Sequence, residues 1–85
     1  MSSVTLQELQ KVYEEYKKAP HGQKGDLWHE YFRLVAHFCK EKCSQYPRHG
    51  PRGKCYRACV RVLLKEGPSG IADVDKAIAE AVKGA

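Results

Sequence analysis

The sequence has little of what usually marks a membrane, secreted or catalytic protein. No apolar run approaches the roughly 18 residues that cross a bilayer. The first fifteen residues, MSSVTLQELQKVYEE, hold three glutamates and no apolar h-region, so neither a secretory signal nor an Arg-rich, acid-poor transit peptide is expected there. Strand-like alternation, internal repeats and low-complexity tracts are missing. So are a glycine-rich phosphate loop and a serine-centred nucleophile motif. Glu14 and Glu15 are adjacent and diverge around a helix instead of pairing as acid and base. The histidines (21, 29, 37 and 49) are scattered; His29 and His37 share a helix face but lie too far apart to chelate one ion. No enzyme, no cofactor and no small-molecule substrate is expected.

What the sequence does hold is four cysteines in 85 residues, spaced Cys39-x3-Cys43 and Cys55-x3-Cys59. A chain this short buries proportionally little apolar surface, and such domains often need disulfides, a metal or a partner. One domain over residues 1–85 is expected, and it reads as all-α. An N-terminal amphipathic helix (1–20) starts at Thr5, where Thr5-Leu6-Gln7-Glu8 is a capping box with Val4 and Leu9 as its hydrophobic staple. Its stripe is Leu6, Leu9, Tyr13 and Tyr16, and Pro20 stops it near Ala19. HGQKGD reads as a linker, with Asp26 as the next N-cap.

The second helix is expected from Leu27 to about Tyr46. It carries two adjoining apolar rows, Leu27, Tyr31, Leu34, Phe38 and Trp28, Phe32, Val35, Cys39. That face is wider than one partner helix needs, so it can accept the first helix or another protein. PRHGPRG (47–53) is a turn, and a third helix runs from about Lys54 to Gly67-Pro68. A short C-terminal helix or tail (69–85) follows, helical from about Ile71 to Val82 with a thin stripe of Val74, Ile78 and Val82.

Residues four apart lie on one helix face. Cys39 and Cys43 therefore point one way, as do Cys55 and Cys59. Folding at 47–53 opposes the two faces in antiparallel register over residues 27–66. Crossed pairing contradicts that hairpin, and bonding within one helical turn strains disulfide geometry. Nested bonds remain, Cys39–Cys59 and Cys43–Cys55, each contributing about 2–4 kcal/mol. The competing readings are a four-thiolate zinc site, a reactive cysteine and four unpaired core thiols.

This pattern resembles the twin Cys-x3-Cys proteins of the mitochondrial intermembrane space, best known from the small Tim chaperones. The resemblance covers residues 28–65, with eleven residues between Cys43 and Cys55. It implies an inner and an outer disulfide, entry without a cleaved presequence, and oxidation by the mitochondrial disulfide relay. That route explains how a chain lacking a secretory label could carry disulfides. Phe32 and Val35, upstream of Cys39, resemble the apolar row by which such chains dock on the relay. Unlike the long helical tentacles of the small Tims, the flanking arms here are interrupted at Ala19-Pro20 and Gly67-Pro68. Plant α-hairpinins share the cysteine pattern but are secreted.

Charge is concentrated on the hairpin. Residues 33–65 carry nine basic residues against Glu41, a net +8, and the remainder carries −3, giving +5 for the chain. Arg57, Arg61 and Lys65 recur every fourth residue as a basic edge. A solvated rim around buried cysteines is the plain reading. Contact with an acidic subunit, anionic lipid headgroups or RNA phosphates is the functional one. No RNA-binding signature accompanies the charge, so nucleic acid is not the expected partner. Trp28, Tyr31 and Phe32 are candidates both for core packing and for a partner anchor.

The resemblance implies a non-enzymatic structural or assembly subunit of a mitochondrial inner-membrane complex, respiratory or ATP synthase, docked from the intermembrane space beside other protein subunits. The alternative it implies is a small Tim-type import chaperone, and the third reading is a mitoribosomal subunit contacting RNA.

Overall fold

A computed structural model describes residues 4–83. Residues 1–3, and the last two residues of the expected C-terminal tail, lie outside the described residues. Four helices follow in order: α1 (Leu6–Lys18), α2 (His21–Lys42), α3 (Pro51–Glu66) and α4 (Ile71–Lys83), with a 3-10 turn at Pro68–Gly70 before α4.

α1 begins as its sequence dictates. The Thr5 hydroxyl accepts from the Glu8 backbone N–H at 3.3 Å, and the Glu8 carboxylate accepts from the Thr5 N–H at 3.4 Å, so the capping box is closed. Ala19, pushed to extended backbone by the proline after it, ends the helix. Pro20 also starts α2, as its N-cap. This corrects two expectations. HGQKGD is not a linker but the first turns of α2, and Asp26 lies inside the helix. The two glycines and the missing side-chain cap are offset by packing: the Lys24 ammonium sits 5.2 Å from the Tyr16 ring centroid, holding the new turns against α1.

The turn also differs from expectation. α2 stops at Lys42 instead of Tyr46, with Cys43 as its C-cap. The Ser44 hydroxyl donates to the Glu41 carbonyl at 2.7 Å and competes for the acceptor that the next turn would use. α3 starts at Pro51, earlier than Lys54, because a proline in the first turn has no N–H to leave unpaired.

Successive helices pack in series: α1 on α2, α2 on α3, α3 on α4, while the 3-10 turn touches α1, α3 and α4. One core runs through them, made of Leu9 and Val12 from α1, Tyr31, Val35 and Cys39 from α2, Cys43, Cys55, Cys59, Leu63, Val74 and Ile78. Val12 belongs to that core although the three-and-four stripe of α1 passes it by. Phe32 does not: at 46 % exposure it lies off the buried row. The wide apolar face of α2 is met by α1. Four rings join the two helices, Tyr13–Tyr31 at 5.2 Å, Tyr16–Trp28 at 5.2 Å, Trp28–Tyr31 at 5.8 Å and Tyr13–Tyr16 at 6.1 Å between centroids. Such pairs contribute about 0.5–1.5 kcal/mol each beyond area burial.

Candidate functional site

Both disulfides are formed as nested bonds. Cys39 is bonded to Cys59 and Cys43 to Cys55, each with its Cα atoms 5.7 Å apart. That spacing is typical of an unforced bridge. All four cysteines are fully buried and none is free, which removes the zinc and reactive-thiol readings. Among the described residues no three His, Cys, Asp or Glu side chains converge on a point that could hold a metal. The chain is a twin Cys-x3-Cys disulfide-stapled helical hairpin with a flanking helix on each side, consistent with the small Tim-like fold.

The predicted contact residues separate. Tyr31 is sealed in the core, where its hydroxyl donates to the Leu63 carbonyl at 2.7 Å. Burial, with Tyr13 adding to it, pushes that hydroxyl far above the ordinary tyrosine range, so it stays a neutral donor. The same carbonyl accepts the Gly67 N–H at 3.1 Å, the cap of α3, so the Tyr31 bond ties α2 to the capped end of α3. As a surface anchor for a partner, Tyr31 is therefore corrected. Trp28 is half-buried within the ring cluster, and Phe32 is left exposed beside it on α2. Val35, the other residue of the apolar row before Cys39, is fully buried. That row is complete only in a chain that has not yet folded.

Arg57, Arg61 and Lys65 are all exposed on α3, as a solvent-facing edge requires. The tertiary structure adds acids that helical spacing did not reveal. Arg61 lines a groove between α3 and α4 that also holds Glu66, Asp73 and Glu80. The carboxyl of Glu66 is held above the ordinary carboxylate range, first by a hydrogen bond to Asp73 that needs its proton, then by slight loss of hydration in the groove and the Asp73 charge, with Lys65 opposing. At the end of α2, Lys42 pairs with Asp75 of α4 at 2.8 Å, a largely exposed contact worth little by itself.

A second feature escaped the sequence reading. At the turn end of the hairpin a cavity of about 490 Å³ opens between the end of α2 and the start of α3. Tyr56 lines it above the buried Cys43, together with Lys40, Arg48, His49 and Arg52. Lys40 stands one turn before Cys43 and Tyr56 directly after Cys55, so nested bonding could have placed both near the turn. The arginines of PRHGPRG gave no such signal, because a turn's side-chain directions are not periodic. Arg52 is positioned by the fold: its Nε donates to the Tyr46 carbonyl at 2.9 Å and its Nη2 to the Ser44 carbonyl at 3.0 Å.

No known protein family, curated protein or solved structure gives a significant match to this chain.

Proposed function

We propose that this non-enzymatic protein acts as a small Tim-type helper of the mitochondrial intermembrane space, binding apolar stretches of other polypeptides. One observation carries the reading: a stapled hairpin with one amphipathic arm packed on each side, each arm resting on its own half of the hairpin. α1 lies on α2 and the 3-10 turn, and α4 on α3 and that turn. The two arms make no direct helix-to-helix packing with one another. Swinging α1 away about Ala19-Pro20 would uncover Leu9, Tyr13 and Tyr16 on the arm and Trp28 on the hairpin, beside the already exposed Phe32. That is a continuous apolar surface, held on a scaffold the disulfides keep folded. Partial opening of this kind draws on the least cooperative elements of a fold.

The test compares the oxidised chain with a variant in which a designed disulfide ties α1 to α2. Wild type should keep a synthetic apolar membrane segment soluble, and the tied variant should fail while melting at a higher temperature. Equal activity of both would remove the opening arm from the mechanism. Absence of activity in both would remove the helper reading.

The second reading, an accessory subunit of a respiratory or ATP synthase complex peripheral to the inner membrane, is favoured by the folded-down arms together with the exposed basic edge at Arg57, Arg61 and Lys65. It calls for constant stoichiometry with a large complex on native gels followed by mass spectrometry. A free pool of small assemblies would instead favour the helper.

A further inference from the structure

The cavity at the turn end of the hairpin combines two properties that solvated surface does not need. Its volume, about 490 Å³, lies within the roughly 300–1,000 Å³ of small-ligand sites. Its walls are mostly apolar, yet Lys40, Arg48, His49 and Arg52 surround it and none of its lining residues is acidic. Among the described residues, the salt bridge formed is Lys42–Asp75, and neither Lys40 nor Arg48 has a carboxylate in salt-bridge range. Gathering cations around one apolar hollow without a counter-charge raises the energy of the empty site, and an anion relieves it.

The site is also built in advance. Arg52 is half-buried and pinned by two backbone carbonyls, which leaves the other edge of its guanidinium to donate. Cys43, at the base of the cavity's lining, is bonded to Cys55, so the α2 and α3 walls cannot part. The loop between them holds a left-handed pair, His49 at φ 66° and Gly50 at φ 102°, and a non-glycine residue in that region persists only where its surroundings hold it. Little ordering remains to be done when a ligand arrives.

We propose that this cavity binds an acidic phospholipid, with the headgroup phosphate among Lys40, Arg48 and Arg52 and the adjoining glyceride against the half-buried Tyr56. The chemistry favours a lipid over an acidic peptide. A peptide brings backbone N–H donors that need acceptors, and none of the lining side chains is a carboxylate or amide that could supply one; a phospholipid brings acceptors, its phosphate and ester carbonyls, to a rim of donors, and hydrocarbon beyond them. The +8 charge of residues 33–65 would orient the turn end toward an anionic surface. This inference is independent of whether the arms open.

The experiment uses the oxidised full chain and vesicles of phosphatidylcholine, alone or mixed with phosphatidylglycerol, at physiological salt. Binding to the mixed vesicles and not to phosphatidylcholine is expected. Lys40→Gln with Arg48→Gln should weaken it by about tenfold or more, since each basic group near an anionic surface is worth about one factor of five. The charge-matched pair Lys11→Gln and Lys18→Gln, both on exposed positions of α1, should change it far less. A soluble short-chain phosphatidylglycerol should compete and shift the amide resonances of residues 40–56, while inorganic phosphate at equal concentration should not. Circular dichroism and intact disulfides verify that each variant is folded. Equal weakening by both double variants would reduce the effect to net charge and overturn the site. Equal competition by inorganic phosphate would leave an anion site without a lipid, and displacement by an acidic peptide would hand it to a protein partner. Either result overturns the proposal as well.

Discussion

Gly67 is held to glycine twice over. Its φ of 77° lies in the left-handed region, and a Cβ there would come within 2.7 Å of the Tyr13 ring. Gly67→Ala is therefore expected to destabilise by more than 1 kcal/mol, roughly the strain cost plus displacement of Tyr13 from the ring cluster. Gly22 and Gly25 contrast with it. Both are in α2 at ordinary helical φ, with nothing within 4 Å of an added Cβ. Gly22→Ala and Gly25→Ala should each stabilise by about 0.4–1 kcal/mol, through a less flexible unfolded chain. Thermal melts of the three single variants check the opposite signs. Tyr31→Phe tests the buried bond to Leu63. The carbonyl keeps Gly67 as a donor, so the cost should stay near 0.5–1.5 kcal/mol instead of the larger penalty of a stranded group.

At the scale of elements, the disulfides close loops with separations of 20 and 12 residues. Each is expected to contribute about 3 kcal/mol by restricting the unfolded chain. Against the 5–15 kcal/mol that small domains typically hold, losing both should leave α2 and α3 largely unpaired. Helical circular dichroism with and without reductant measures this, and an unchanged melting temperature would show that the apolar core carries the fold without the disulfides. The α3–α4 junction should respond to pH. The raised Glu66 pKa means the folded state favours its protonated form. The contribution is full at pH below the ordinary glutamate range and disappears as pH rises through the higher folded value. Amide exchange at residues 66–73, corrected for its intrinsic pH dependence, should show more protection on the acid side. Asp73→Asn should flatten that difference. The groups are exposed, so the effect is local and small.

For the whole molecule, the question is what the basic hairpin meets. Arg57→Glu with Arg61→Gln should leave stability within about 0.5 kcal/mol, because both side chains are exposed and glutamine adds no charge to the acidic groove beside Arg61. If the edge docks on an acidic subunit, the same variant should lose incorporation into the parent complex through like-charge repulsion. Cofractionation measured beside a thermal melt separates the two effects. A variant that assembles at wild-type level would return Arg57 and Arg61 to the solvated rim.

Much of this architecture is set by chemistry within a few residues along the chain. The Thr5–Glu8 cap, the stop at Pro20, the break at Gly67-Pro68 and the four-residue cysteine spacings act locally, so the hairpin and its nested bonds could be read directly. The start of α2 could not. His21–Asp26 looks like a linker by composition, and it is helical because Lys24 and Trp28 pack on Tyr16 of another element. The roles of Tyr31 and Phe32 divided for the same reason: both belong to an apolar face, and only the position of α1 and the Leu63 carbonyl decides which is buried. The cavity at the turn needed the folded chain most of all. Its cations come from a helix end, an aperiodic loop and a helix start, and no periodicity in sequence relates side chains that a disulfide and a left-handed turn bring together.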